Sequence, residues 1–453
     1  MERAKGSDDG GDAEFAVPQA PSRGISARLM TSRPPVLLTV GRYYGTLAAV
    51  RSLGRAGVAV TLAESYTLAP ARWSRYVQRR VDCPDPGQAD AFLAWLLAFG
   101  EAHPGHVLLP TNDDLASLIA EHQSALSKYF ILLATAPRAV MSLLDKRTLI
   151  DCCVAVGIEV PDTWFPRSES EAARIGARVG MPLLLKPRTQ VLLESHSKGV
   201  MVEDAATLPA QFRDFVSANR FGERALQRDP EVCWPMLQRL YPSARTSIYG
   251  ISGYCDASGE IVASRASRKI LQRPRKLGIG LCFEEAAIDE ALLAKVGTLC
   301  RQVGFHGVFE VEFIEEGARR LLIDFNPRFY SQLAFDVDRG LALPLLAYYD
   351  AIGDTEQLAM TIAEARQRPN EPPRVYCHRF ILELTLCAQR LSGRLSANEE
   401  RVWRRWLHVH RASASDAVAD RGDVVPWGVD VLALLASYAR HPRAFVRTMV
   451  LNN

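Results

Sequence analysis

The chain has 453 residues, 48% hydrophobic and 23% charged, enough apolar material for several cores, which excludes both a single small domain and a wholly disordered polypeptide. A formal net charge of +3 is too small to argue by itself for a nucleic-acid or membrane partner. The nine cysteines include no C-x-x-C pair, so neither a disulfide framework nor a zinc ribbon is indicated, and a reducing cytoplasm fits best.

The first residues are rich in Gly, Asp, Ser, Ala and Pro, carry charge of both signs and lack an apolar signal region, so 1–34 reads as a disordered tail. From Pro35 strand and helix patterns alternate. PVLLTV, VAVTLAE (58–64) and HVLLPT read as strands, with helices over 46–56 and 89–102 between them. A helix from Asp113, a strand near 129–134 and a short helix near 137–144 complete a Rossmann-like domain over 35–145. Ligands of such sheets bind beyond the carboxyl ends of the strands, which makes GRYYG (41–45) and Thr111-Asn112-Asp113-Asp114 the candidate lining. Thr111, Asn112 and Asp113 suit a helix N-cap equally well. The glycine spacing is not that of a dinucleotide site, and Glu64 is a partial echo of one. The apolar runs at 91–100 and 429–439 fall short of the roughly 18 residues that would suggest a membrane span.

Further along, PLLLKPR (182–188) places Lys186 at the end of an apolar run, as expected for a buried strand delivering an ammonium to a cleft, and Lys146 in DKRTLI stands at a probable helix start. Leu292, Val296, Leu299 and Val303 repeat at three and four residues and predict an amphipathic helix over 289–303. It leads into GVFEVEFIEEGARRLLIDFNPRF (307–329), two strands around a turn at Glu316-Gly317. Residues two apart on a strand share a face, so Glu310 pairs with Glu312 and Asp324 with Asn326 in direction. Oxygen ligands gathered without Cys or His suit Mg²⁺, which commonly keeps waters and binds substrate phosphates beside one or two carboxylates. After 354 the chain turns helical, basic and Trp-containing (ERVWRRWLHVHR, 400–411), usually a solvated face.

The ordered set DKRTLI, PLLLKPR, SKG (197–199), SRK (267–269), EVEF (310–313) and DFNPRF (324–329) resembles the ATP-grasp ligases, and among them the D-aspartate ligase-like carboxylate-amine ligases. The resemblance covers roughly 35–354. It implies a mixed α/β and α+β architecture: the Rossmann-like domain, an ATP-grasp small lobe over 146–235, a large lobe with the metal site over 236–355, and a helical C-terminal region over 356–453. It also implies an ATP- and Mg²⁺-dependent (or Mn²⁺-dependent) enzyme in the cytoplasm. This enzyme would join a small-molecule carboxylate to an amine, amino acids being the expected substrates, through an acylphosphate. No nucleic acid or membrane span is expected, and a homodimer is allowed. The alternatives are an ATP-grasp enzyme using a non-amine acceptor and a nucleotide-binding homologue with little turnover.

By the same resemblance Lys146 and Lys186 contact the α- and β-phosphates, and Ser197, Lys198 and Gly199 belong to the loop that closes over the transferred phosphate. Gln238, Arg239 and Leu240 form the adenine hinge, where a glutamine replaces the usual glutamate. Arg268 and Lys269 neutralise the γ-phosphate and acylphosphate; the run 268–276 lacks the interleaved aromatics of a nucleic-acid platform. Glu312, Asp324 and Asn326 hold the metal, Glu310 sits behind them or faces substrate, and Arg328 grips a carboxylate or the acylphosphate in a planar fork. Tyr330 and Asp336 are substrate neighbours or core residues. The closing loop departs from the usual Gly- and Ser-rich pattern by the bulky VLLE at 191–194.

Overall fold

β-Branched and leucine-rich runs bounded by turns build three sheets in the computed structural model, which describes residues 33–133, 135–194, 199–273, 278–367 and 373–451. The tail expected over 1–34 lies outside the described residues except for Arg33 and Pro34. Residues Pro34–Asn453 form one compact unit.

The first sheet contains β1 (Val36–Thr39), β2 (Val60–Ala63), β3 (Val77–Val81), β4 (His106–Leu108) and β5 (Phe130–Ile131) in the order β3-β2-β1-β4-β5, all parallel. β1 and β2 are buried on both faces, which is why they read as continuous apolar runs. β3 escaped the sequence reading because its centre, Gln78-Arg79-Arg80, is exposed and polar at the sheet edge.

The second sheet has the order β6-β9-β7-β8, from β6 (Thr163–Trp164), β7 (Leu183–Lys186), β8 (Val200–Val202) and β9 (Met236–Arg239). Leu183, Leu185 and Leu237 bury one face of it against Phe212 and Leu208.

The third and largest contains β10 (Ile248–Cys255), β11 (Ile261–Arg273), β12 (Ile279–Ala286), β13 (Gly307–Glu316), β14 (Arg319–Asn326), β15 (Val375–Cys377) and β16 (Ala414–Asp416), in the order β14-β13-β10-β11-β12-β15-β16. Its back face carries Tyr249, Ile251, Phe309, Val311, Phe313 and Phe325 into a core closed by the helix Glu290–Val303, whose buried stripe is the one read from the sequence. That helix has Asp289 as N-cap and Gly304 in the left-handed conformation after its last turn.

Two placements differ from expectation. The helix Lys146–Ala155, assigned with the small lobe, buries Leu149 and Cys153 in the core behind the large sheet, because those residues face Val296 and Phe325 rather than β7. The C-terminal region is not purely helical: β15 and β16 extend the large sheet, and Cys377 stands opposite Cys282. This region also grips the first domain. Asp423 accepts from Arg51 Nε at 2.9 Å, Ser74 Oγ at 2.7 Å and the Arg75 N–H at 2.9 Å, all but the last in full burial. All nine cysteines are free thiols. Among the described residues no helix is long and apolar enough to cross a membrane.

Candidate active site

Antiparallel pairing of β13 with β14 sets Glu312 directly opposite Asp324 and Glu310 opposite Asn326. Paired residues share a face of the sheet, so the four side chains form one polar square. On the next strands the same face continues with Gly250 and Ser252 of β10 and Lys269 and Ser267 of β11.

Three lysines surround this square. Lys269 Nζ donates to Glu312 Oε1 at 2.8 Å, and Lys146 Nζ, at the first turn of its helix, donates to Asp324 Oδ1 at 2.6 Å. Burial would raise the Asp324 carboxyl, yet the cations of Lys146, Lys186 and Arg328 hold it below its ordinary value. Lys186, at the end of β7, lines the same cleft from the other sheet. Glu310 is buried and beside the charge of Glu312, which together push it up to about 8, although Lys269, Asn326 and Gln332 oppose that shift. Asn326 Nδ2 donates to one of its oxygens and Gln332 Nε2 to the other at 2.7 Å.

The polar square lies on the floor of a cleft of about 1260 Å³ lined by the large sheet, by β7 and β9, and by the segments that follow β1, β3 and β4 of the first sheet. Glu312, Asp324 and the Asn326 amide offer oxygen donors alone, the type that suits Mg²⁺, while the third carboxyl of the square, Glu310, is engaged by Asn326 and Gln332. Among the described residues no three His, Cys, Asp or Glu side chains converge as a metal site.

The sequence-predicted residues divide accordingly. Lys146, Lys186, Lys269, Glu310, Glu312, Asp324, Asn326, Arg328 and Gln238 all line the cleft. Arg268 does not join them. Neighbours on a strand point to opposite faces, so if Lys269 faces the cleft Arg268 faces away. It makes a two-pronged ion pair with Glu315, at 2.6 and 3.0 Å, which holds the Glu315 carboxyl down to about 2.

Gln238 is buried on β9, where its Nε2 donates to Thr163 Oγ1 at 3.2 Å. Beside it, Leu184, Met201, Leu240, Tyr241, Ala244 and Ile314 line an apolar slot open to the cleft. Arg239 alternates outward into an ion pair with Asp162 at 2.8 Å and reaches the slot's rim. Ser197 and Lys198 lie outside the described residues. Gly199, with φ +151°, packs so closely that a Cβ would come 2.9 Å from the Leu185 carbonyl oxygen.

Arg328 Nε donates to Asp113 Oδ1 at 2.7 Å and its Nη2 to Asn326 Oδ1 at 2.8 Å, tying the first domain to the polar square. Burial penalises its charge, but Asp113 more than restores it and its pKa stays above the ordinary value. Asn112 caps the helix Asp113–Glu121 through the Leu115 N–H, and Thr111 bonds to Thr39 at 3.0 Å. Both readings of this segment therefore coexist, since Asn112 and Thr111 also line the cleft.

In GRYYG it is Tyr43, not Tyr44, that borders the cleft. Tyr44 turns to Asp430 and packs edge-on to His378 at 5.1 Å. Gly45 approaches the Tyr330 backbone so closely that a Cβ would sit 2.3 Å from its oxygen. Tyr330 is buried yet lines the cleft, whereas Asp336 belongs to the core: it is 2% exposed and accepts from Ser252 at 2.8 Å, from Tyr330 and from Arg339.

VLLE is a packed strap. Val191 is buried among Ala116, Ala120, Val140 and Leu144; Leu192 and Leu193 pack on Phe221, Ala225 and Val232. Leu192 sits at φ +54°, its N–H held by Asp114 Oδ1 at 2.8 Å. Gln332, which supports Glu310, carried no signal in the sequence beyond its position after DFNPRF.

No family model matches the chain. It aligns with the carbamoyl phosphate synthase large chain of Myxococcus xanthus at 24% identity over 240 residues, 51% of this chain and 20% of that protein. The chain thus spans about a fifth of the length of the curated relatives it matches. Among solved structures, the biotin carboxylase domain of the Hydrogenobacter thermophilus 2-oxoglutarate carboxylase, in complex with MgADP, ADP and bicarbonate, superposes with a TM-score of 0.58. Identity is 13% over 71% of this chain and 70% of that one. The chain has the ATP-grasp fold. Another ATP-grasp structure, the L-amino acid ligase from Bacillus licheniformis, gives a TM-score of 0.51 at 13% identity over 71% of this chain and 75% of its own.

Proposed function

We propose that this chain is an ATP- and Mg²⁺-dependent carboxylate-amine ligase acting through an acylphosphate. The observation that carries the reading is the facing pair Glu312 and Asp324, each bound by a lysine, with Lys186 lining the same cleft from another sheet. Alternating charges of this kind match a polyphosphate with its cation, since phosphoryl transfer asks the protein for positioning and charge neutralisation rather than covalent chemistry.

In this assignment the apolar slot around Gln238 and Leu240 receives adenine, with the Gln238 amide oxygen accepting from the amino group. Lys146 and Lys186 take the phosphates. Glu312, Asp324 and the Asn326 oxygen hold Mg²⁺, which when bound offsets charge on the phosphates. Lys269 faces the transferring phosphoryl group, and Arg328, already oriented by Asp113, presents its remaining edge to the substrate carboxylate or acylphosphate. An amine then displaces phosphate to give the amide. We assign acid and amine recognition to the rim formed by Tyr43, Asn112 and Asp113, with amino acids as the first class to try, and place the enzyme in the cytoplasm. The N-terminal five-stranded sheet would serve substrate choice, the four-stranded sheet the small lobe, and the large sheet the metal.

The test is ADP release across a panel of amino acids and amines, with and without Mg²⁺. Acid-dependent ADP formation that is lost in a folded Asp324→Ala variant supports the assignment. Undiminished turnover in that variant removes it, and ADP formation that needs an acid but no amine redirects it to a non-amine acceptor.

A further inference from the structure

Lys146 and Lys186 are anchored in different cores. The helix that starts at Lys146 buries Leu149 and Cys153 behind the large sheet, whereas β7 buries Leu183 and Leu185 against Phe212 in the four-stranded layer. Side-chain packing common to both elements therefore does not set the distance between the two ammonium groups. Two residues beside the lysines do tie the elements together.

Arg188 lies two residues past Lys186 and is 6% exposed. Its carbonyl oxygen accepts the Lys146 N–H at 3.0 Å. Its guanidinium reaches back to Asp145, with Nε and Nη2 at 2.9 and 2.7 Å from Oδ2, and also meets Asp229. Asp145 is the N-cap of the Lys146 helix, its Oδ1 accepting from the N–H groups of Arg147 at 2.8 Å and Thr148 at 3.4 Å. One carboxylate thus fixes the helix start with one oxygen and the end of β7 with the other. Asp229, on the far side, caps the short turn Pro230–Cys233 through the Glu231 N–H at 2.9 Å. The two carboxylates hold the Arg188 pKa above its ordinary value despite the cost of burial.

Neither Asp145 nor Arg188 lines the cleft, so neither is placed to touch a ligand there. A planar guanidinium held by two acids, beside a main-chain bond from the same residue, is a rigid joint, and lysine would keep the main-chain bond but not the fork. We propose that Asp145 and Arg188 are positioning residues that set the Lys146–Lys186 spacing for the phosphates of a nucleoside triphosphate. The proposal rests on the ATP reading above. It adds that the chain's nucleotide affinity is controlled from outside the cleft, at the junction of the two sheets.

The experiment measures the dissociation constant of Mg²⁺-AMP-PNP, a non-hydrolysable ATP analogue, by calorimetry on the full chain, with urea unfolding alongside. The variants are Asp145→Asn, which keeps the cap acceptor and removes the charge, Arg188→Lys, Arg188→Met, and the double Asp145→Asn/Arg188→Met. Each single variant is expected to bind at least ten-fold more weakly while folded. The double should bind no more weakly than the worse single, since both changes break one joint. Wild-type affinity in folded Arg188→Lys and Asp145→Asn, whatever their urea midpoints, would overturn the positioning role. A purely additive double would do the same. Failure of the unaltered chain to bind the analogue would instead overturn the ATP reading, so the two failures are distinguishable.

Discussion

Replacing Asp114 with asparagine should stabilise this protein, and only above mildly acidic pH. Asp114 sits half-buried at the start of the helix Asp113–Glu121, beside Asp113 and with Asp85 near, and accepts the Leu192 N–H at 2.8 Å. Burial first, then the charge of Asp113, pushes its pKa up to about 6 from 3.8, against the pull of the Leu192 N–H. A carboxylate whose folded pKa is raised has its charged form disfavoured by folding. Its contribution is intact below the unfolded value of 3.8 and is lost as pH rises through 6. The difference is about two units, and at 1.36 kcal/mol per unit this amounts to about 3 kcal/mol lost by pH 8. Asparagine keeps an oxygen for Leu192 but turns an amide toward the Asn112 Nδ2, which donates to Asp114 Oδ2 at 3.4 Å, so about 1 kcal/mol is returned. The net expectation is a gain of about 2 kcal/mol at pH 8 and none at pH 3.5. Urea unfolding of both proteins at the two pH values reads it directly. A gain of the same size at both pH values would refute the electrostatic argument, and a loss at pH 8 would show that the strap needs the charge.

Two other substitutions check placements that the structure gives. Lys269→Ala should cut acid-dependent ADP formation by about 100-fold or more, as for loss of a preorganised donor, whereas Arg268→Ala on the opposite face should change it less than about five-fold; equal losses would mean that both face the phosphate. Asp423→Ala should destabilise the fold by about 3 to 5 kcal/mol in urea, because it leaves the buried Arg51 without its carboxylate; a cost under about 1 kcal/mol would show that the joint between the first domain and the C-terminal region is made elsewhere.

The pattern of two explains why the polar face of Glu310, Glu312, Asp324 and Asn326 was legible from the sequence. Glu310 and Glu312, and Asp324 and Asn326, are local repeats on adjacent strands joined by a short turn, so alternation and pairing suffice to bring them together. The same rule, applied to Arg268 and Lys269, already forbids both from sharing a face on a regular strand; motif resemblance had overridden it. What local pattern could not supply is contact across the fold. Tyr43 and Tyr44 look interchangeable in GRYYG until the C-terminal Asp430, 386 positions away in the chain, claims one of them. VLLE reads as a damaged glycine loop until Ala116 and Val140 on one side and Phe221 on the other give each leucine and valine an apolar partner. Asp145 and Arg188 stand inside DKRTLI and PLLLKPR, but their pairing is not legible there, because the joining of helix start to strand end depends on how two cores meet. In this chain the residues proposed to touch phosphate and metal follow short periodic rules, and the residues that orient them are long-range ion pairs. The cleft's chemistry is therefore easier to read from sequence than its rigidity, and substitutions outside the lining are the ones for which the three-dimensional contacts decide the outcome.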